Sequence, residues 1–312
     1  MALDGIVVAS LAKELQENFT NARLSKIAQP EKDELLLTMK GSNGQKRLLL
    51  SASASLPLIY ISDKNKPSPM TAPNFCMLLR KHVANGRITA ITQPGMERII
   101  VFEIEHLDDL GDLRHKKLII ELMGKHSNII FCDENNVILD SIKHISAQVS
   151  SVREVLPGRD YFIPHSGEKK DPLTITETEF KELLHNTPQN LSKALYMDLT
   201  GLSPVVAAEI CHLASLDGDV SAKEFSDAEL THLFHAFTWI MDDVREGNFT
   251  PNIIYEGEKP VEFASVPLTM MEGGNYKTVN FSSISELLER YYAEKNMVSR
   301  IHQKSTDLRK II

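Results

Sequence analysis

The chain has 312 residues, 42% of them apolar and 24% charged, so it is long enough for a large core and for more than one domain. Those proportions exclude global disorder, and the formal charge of −8 at pH 7 argues against unspecific adhesion to nucleic acid, which phosphate neutralisation drives. The charge is uneven: Cys76 to Arg159 holds 11 Lys or Arg against 11 Asp or Glu, and the remainder, 23 against 31, holds the whole excess.

In chain order, Asp4 caps a first helix whose apolar positions Ile6, Val7, Leu11 and Leu15 recur at helical spacing. Four short strands follow near 23–28, 34–39, 47–51 and 58–62, separated by turn formers, and predict an antiparallel meander. Pro73 opens a helix through Phe75, Leu78, Leu79 and Val83 that stops at Asn85-Gly86. Strands at 87–92 and 98–104 lead into Lys116 to Ser141, where apolar β-branched runs at 118–123, 129–132 and 137–139 predict a second meander. Between its first two strands lies Gly124-Lys125-His126-Ser127-Asn128, which holds a cation, an imidazole, a hydroxyl and an amide where a turn needs only turn formers. Leu156 to Pro164 is an extended exit from this β-rich part.

From Asp171 the spacing becomes helical, with helices over 176–184, 188–197, 204–214 and 228–245. Thr176 with Glu179 forms a capping box, and Ser203-Pro204 is a cap and first-turn pair. The short helix, glycine turn and Ser-Pro helix make a helix-turn-helix unit whose second helix could offer amides to a phosphate, although most such pairs bind nothing. Strands at 252–255 and 261–268 precede a last helix, opened by Ser283 and Glu286 and carrying Leu287, Tyr291, Met297, Ile301, Leu308 and Ile311. That thin stripe without a stop signal reads as the start of a coiled coil in a longer protein.

Enzymatic signatures fail. Met123 to Ser127 lacks the first glycine of a phosphate loop and places His126 where Ser or Thr should follow the lysine. His232 and His235 have no companion motif for a metal, and the single Trp239 lies in an apolar helix where core packing explains it. There is no case for a metal or a cofactor. Apolar runs stop far short of the roughly 20 residues of a membrane helix. Asp4 stands where a secretion signal would carry Lys or Arg, and Cys76, Cys132 and Cys211, odd in number, read as reduced core thiols. A cytoplasmic protein is expected.

Five blocks together resemble one family: Met1 to Gly5, Pro73 to His82, Glu97-Arg98, Glu121-Leu122-Met123-Gly124-Lys125-His126-Ser127-Asn128, and Arg153 to Arg159. In this order they are similar to the N-terminal region of the NFACT family. The resemblance implies an α+β chain: a β-rich NFACT-N domain over residues 1–170, distantly similar to the N-terminal domain of formamidopyrimidine-DNA glycosylases, and a helical helix-hairpin-helix-like domain over 171–248. A short β segment packing on the N-terminal part over 249–282 and a coiled coil from 283 complete it. The implied function is ribosome-associated quality control, in which the protein binds a large ribosomal subunit obstructed by peptidyl-tRNA and recruits alanyl-tRNA for untemplated alanine tailing. The ribosome makes the bonds, so the protein is not itself an enzyme.

The resemblance also assigns tRNA contact to an acidic-arginine pair, here Glu97 and Arg98, and to Glu121 through Asn128, with Asp4, Arg80 and Arg153 in support. The family's usual aspartate is Glu97 here, one methylene longer, which alters contact geometry but not charge. Arg98 offers a planar fork of donors suited to phosphate or a base edge, and Gly124 lets a backbone approach closely. On residue chemistry alone, Glu97-Arg98 reads as a surface strand start and GKHSN as a polar hairpin tip. Two other classes stand beside this one. An adhesin for fibronectin or fibrinogen follows from a name that family members carry, and Asp4 and the thiols speak against it. A DNA-glycosylase-like protein follows from the fold likeness, but such enzymes start from an N-terminal proline, where this chain has Ala2, and carry a four-cysteine zinc finger that is absent here.

Overall fold

The computed structural model describes residues 3–164 and 168–311, so Met1 and Ala2, on which part of the family resemblance and the glycosylase comparison rest, lie outside the described residues, as does the side chain of Ile311. The chain divides into two compact units, Leu11–Glu168 and Met1–Ser10 with Lys169–Ile312. Their charges differ: Leu11–Glu168 carries 20 Lys or Arg against 19 Asp or Glu, and the other unit 14 against 23.

The unit Leu11–Glu168 is built on one nine-stranded antiparallel sheet. Its first meander comprises β1 (Arg23–Glu31), β2 (Glu34–Gly41), β3 (Gly44–Ala52) and β4 (Pro57–Ser62). The second comprises β5 (Arg87–Thr92), β6 (Ile99–Leu107), β7 (Leu113–Glu121), β8 (Asn128–Asp133) and β9 (Ile138–Ser141). The order β4-β3-β2-β1-β5-β6-β7-β8-β9 joins the two at a single pair, Arg23 with Arg87, and the sheet curls until β3 meets β7. Pro30 does not end β1 as its ring suggests; the strand runs on to Glu31 through a register shift after Ala28, the kind of irregularity at which a strand tolerates a residue without N–H.

Two helices cover this sheet. The part of α1 (Gly5–Phe19) within this unit buries Leu11, Leu15 and Phe19, and Gln16 Nε2 donates to Ile91 O at 2.6 Å. Helix α2 (Asn74–Val83) buries Phe75, Cys76, Leu79 and Val83; Leu78 of the expected stripe is only half-buried, and Cys76 takes its place. All three cysteines are buried and free. A cluster of Ile99, Ile119, Ile130, Cys132, Ile138 and Val155 lies under β6 to β9, and Met123, Ile145, Tyr161 and Ile163 pack against it. The exit segment is thereby held to the sheet.

In the other unit, α3 (Glu177–Asn186), α4 (Leu191–Asp198), α5 (Pro204–Leu213) and α6 (Asp227–Glu246) follow one another. Thr176 and Glu179 make the capping box that their spacing predicts, and Ser226 with Glu229 makes another at α6. Gly247 ends α6 at φ 72°, a left-handed position that a side chain would strain. Trp239 corrects the sequence reading: it is 74% exposed, because the buried stripe of α6 runs through Leu233, Phe237, Met241 and Val244 and leaves Trp239 off it. A three-stranded sheet, β11-β10-β12, is formed by β10 (Asn252–Glu256), β11 (Lys259–Ala264) and β12 (Tyr276–Asn280) and packs on α7 (Ile284–Ile311). Strand β12 is absent from the sequence reading since its residues YKTVN, mostly exposed, carry no apolar alternation. Among the described residues no helix is long and apolar enough to cross a membrane.

Candidate nucleic-acid interface

The antiparallel register brings the start of β6, the end of β7 and the start of β8 to one end of the sheet. Ile99 pairs with Glu121, and Glu121 with Asn128. Leu122 N–H donates to Arg98 O at 2.9 Å, so the loop before β6 and the turn after β7 are joined by backbone. Glu97 and Arg98 close that loop: Met96 is buried beneath it, Glu97 N–H donates to Pro94 O at 3.0 Å, and Gln93 Nε2 donates to Glu97 O at 2.9 Å. Both side chains are half-buried at its rim.

The turn itself separates scaffold from tip. Gly124–His126 form one 3-10 turn that starts at a left-handed Gly124, φ 56°. Ser127 is buried, its hydroxyl accepting from Met123 N–H at 2.9 Å and donating to Gly124 O at 2.7 Å. Asn128 is buried as well: Oδ1 accepts from the N–H groups of Ile129 and Lys143, at 2.9 and 3.1 Å, and Nδ2 donates to Lys143 O at 3.0 Å. Leu122 is buried and Met123 packs on the underlying cluster. Of the eight residues from Glu121 to Asn128, only Lys125 and His126 are exposed, with Gly124 half-exposed between them and the core.

Glu121 is fully buried, with Arg153 and the Tyr161 hydroxyl both donating to its carboxylate, the latter at 2.9 Å. Burial pushes the Glu121 carboxyl above its ordinary range, against the guanidinium and the phenol, and pushes the Tyr161 phenol strongly upward, so that it remains a donor. Arg153 also donates to Phe162 O at 2.7 Å and lies 5.6 Å from the Tyr161 ring centre. Glu121 and Arg153 thus clamp residues 153–162 onto the sheet end that carries Arg98 and Lys125. Arg80 is committed elsewhere, its Nε donating to Ile27 O at 2.8 Å and stapling α2 to β1.

The clasp of Asn128 reveals a residue that sequence reasoning missed. Lys143 is held at this end through its own backbone, bonded by Asn128 and by Ser141 Oγ at 2.7 Å. Partial burial lowers its ammonium from the ordinary value, with Asp33 opposing and Lys32 adding to the shift. Nothing in the spacing of Asn128 and Lys143 signals the contact. Arg98, Lys125 and His126 thus share this sheet end with the backbone of Lys143, and all four side chains are of types that donate to phosphates and ribose hydroxyls. Lys125→Ala and His126→Ala are expected to leave the melting temperature within a few degrees of wild type. Asn128→Ala removes the side-chain acceptor of the Ile129 and Lys143 N–H groups and one of the two donors to Lys143 O, and is expected to cost about 1–3 kcal/mol in urea unfolding. Equal costs at tip and clasp would contradict this division.

Asp4 belongs to the other unit and has a structural task there. Its Oδ1 accepts from Ile6 and Val7 N–H at 3.0 and 2.9 Å, capping α1 as expected, and its Oδ2 accepts from the Ser203 hydroxyl at 2.6 Å. Ser203 in turn caps α5, so one carboxylate serves two helix starts and the start of α5 receives its negative charge from within the chain. Burial pushes the Asp4 carboxyl from 3.8 up to about 6. With the folded value above the unfolded one, the stability this group contributes is full below pH 3.8 and is lost as pH rises through 6. Asp4→Asn, which keeps a capping side chain, is expected to remove a decline on the order of 2 kcal/mol across that window in urea unfolding. Parallel pH profiles of wild type and variant would contradict the assignment.

Among the described residues no group of three or more His, Cys, Asp or Glu is placed to hold a metal ion. This sheet end presents Lys125 and His126 on a clamped turn, in the less acidic unit. The family model for NFACT N-terminal and middle domains matches residues 4–312, and the chain belongs to the NFACT family. Rqc2 homolog RqcH of Bacillus subtilis is 34% identical over all of this chain and 52% of its own length. Ribosome quality control complex subunit 2 of Saccharomyces cerevisiae is 29% identical over 41% of this chain and 12% of its own. Among solved structures, the fibrinogen binding protein from Staphylococcus aureus superposes with a TM-score of 0.79 at 29% identity, covering 94% of this chain and 99% of that one. The chain spans about half the length of the Bacillus relative that it matches.

Proposed function

We propose that this protein is a cytoplasmic, ribosome-associated quality control factor. It binds large ribosomal subunits obstructed by peptidyl-tRNA and recruits alanyl-tRNA for untemplated alanine tailing of the stalled chain. It contributes binding and positioning; the ribosome makes the peptide bonds. The observation that carries the reading is the convergence on one sheet end of the two segments to which the family likeness assigns tRNA contact, Glu97-Arg98 and the turn at Lys125-His126. The names of the Bacillus and yeast relatives support the ribosomal context.

In this reading Arg98, Lys125, His126 and Lys143 touch tRNA, while Glu121, Leu122, Met123, Ser127, Asn128 and Arg153 hold them in place. Glu97 orients Arg98 or accepts from a base amino group. Residues 1–170 act as the tRNA-binding domain, residues 171–248 as a helix-hairpin-helix-like domain, residues 249–282 as a short β segment, and the helix from 283 as the start of a coiled coil. Binding of deacylated tRNA to the 312-residue chain, followed over a salt series, tests the surface. Each phosphate neutralised lowers log K by roughly 0.7 per decade of salt, so contacts from these cations give a slope on the order of −2 to −3. Salt-independent binding, or none, would reject it.

The name of the Staphylococcus relative favours a second reading, an adhesin for fibrinogen or fibronectin. Localisation of the native protein mainly to the cell surface would favour that reading over the first.

A further inference from the structure

Beside its buried stripe, helix α6 presents a second, mixed face around the exposed Trp239. Residues 232, 235, 236, 239, 240 and 243 follow one another at i, i+3, i+4, i+7, i+8 and i+11, and all six line an open groove of about 470 Å³. Its apolar walls are Leu213 of α5, Ala236, Trp239 and Ile240 of α6, and Pro267. Trp239 is 74% and Leu213 42% exposed, so apolar surface that burial would stabilise stands in water.

The groove is built rather than left over. Buried Glu209 accepts from Thr269 N–H at 2.9 Å, from the Thr269 hydroxyl and from Met270 N–H at 3.2 Å, which fixes the Val266–Thr269 wall against α5. Its titratable groups are Glu209, Asp243, His232 and His235, so with the histidines neutral its charge is acidic. Neither Lys nor Arg lines it, Asp243 closes one end, and α6 holds Asp227, Glu229, Asp242, Asp243 and Glu246 against Arg245 alone. Arg245 is engaged by Asp242 at 2.7 Å and by Leu173 O. The half-buried Asp243 carboxylate has no hydrogen bond or ion pair from its side chain among the described residues.

We propose that this groove docks an amphipathic helical segment of another protein, whose apolar face covers Trp239 and Leu213 and whose Lys or Arg pairs with Asp243. An apolar trough of helix length with an unpaired acid at its end is complementary to that chemistry: the apolar contact supplies affinity, and the cation supplies direction and specificity. The inference is independent of the tRNA surface, which lies in the other unit.

The chain has one tryptophan, so its emission reports this groove alone. The probe is a synthetic Leu/Lys amphipathic peptide of about five helical turns, titrated into the 312-residue protein beside a Leu/Glu peptide of the same pattern and a Ser/Lys peptide without the apolar face. A saturable blue shift of Trp239 with the Leu/Lys peptide is expected, with binding weaker by roughly tenfold or more for either control. Asp243→Lys, at a half-exposed position, is expected to reverse the preference between Leu/Lys and Leu/Glu. Trp239→Ser should weaken binding followed by anisotropy of a labelled peptide. Equal binding of the Leu/Lys and Leu/Glu peptides, or unchanged affinity in both variants, would overturn the proposal. So would dimerisation that shifts Trp239 emission without peptide, which assigns the groove to a second copy, or a shift induced by tRNA, which assigns it to nucleic acid.

Discussion

Glu121→Ala is expected to lower the free energy of unfolding by about 3–5 kcal/mol, the usual consequence of removing one partner of a buried ion pair. The carboxylate is fully buried and the Arg153 side chain is only 10% exposed, so the variant leaves a guanidinium without its counter-charge in a site that water does not reach freely. The Tyr161 hydroxyl loses its acceptor at the same time. Two further links fail with it, since Arg153 also holds Phe162 O and Tyr161 packs on the cluster under β6 to β9. Glu121→Ala combined with Arg153→Met is expected to recover a substantial part of the loss, because both charges then leave together. Urea unfolding of the single and double variants reads this directly. A single-variant loss below about 1 kcal/mol would contradict the clamp.

Arg98→Ala is expected to weaken tRNA binding by about 1–3 kcal/mol, close to 5- to 150-fold. The backbone carbonyl of Arg98 accepts the bond from Leu122, and the substitution retains that group. Arg98→Lys keeps the charge but loses the planar fork, and affinity between wild type and alanine is expected if the fork grips two acceptors. Filter binding and melting curves on the same preparations separate the two effects. Unchanged affinity in Arg98→Ala would remove Arg98 from the surface, and a matching drop in stability would make its role structural.

The contrast between these two residues shows what the sequence discloses. Local features were legible because their causes lie within a few residues: Asp4 before an apolar stripe, Thr176 three before Glu179, and Ser203 before Pro204 all cap the helices that they announce. Strand positions were legible from β-branched runs, so the start of β6 and the turn after β7 could be named in advance, and register then joined them. Contacts that cross long stretches of chain left no such trace. Glu121 and Arg153 are 32 residues apart, Asn128 and Lys143 are 15, and Asp4 and Ser203 are 199. As a result, polar residues grouped by sequence as one contact segment divide into a buried scaffold and an exposed tip. Trp239 shows the same limit in reverse, since an apolar helix face can be core or open surface and periodicity alone is silent on which.

The central claim is that Arg98 and the Lys125-His126 tip hold tRNA on an obstructed large ribosomal subunit. It is tested most directly by isolating large subunits that carry peptidyl-tRNA from cells expressing the native protein, and sequencing the tRNA recovered with it for wild type and for Glu97→Ala, Arg98→Ala. The account predicts cosedimentation with the subunit, enrichment of alanine tRNA with the wild-type protein, and loss of that enrichment in the double variant while the variant remains folded. Absence of the protein from these subunits, or the same tRNA enrichment with the double variant, would contradict it.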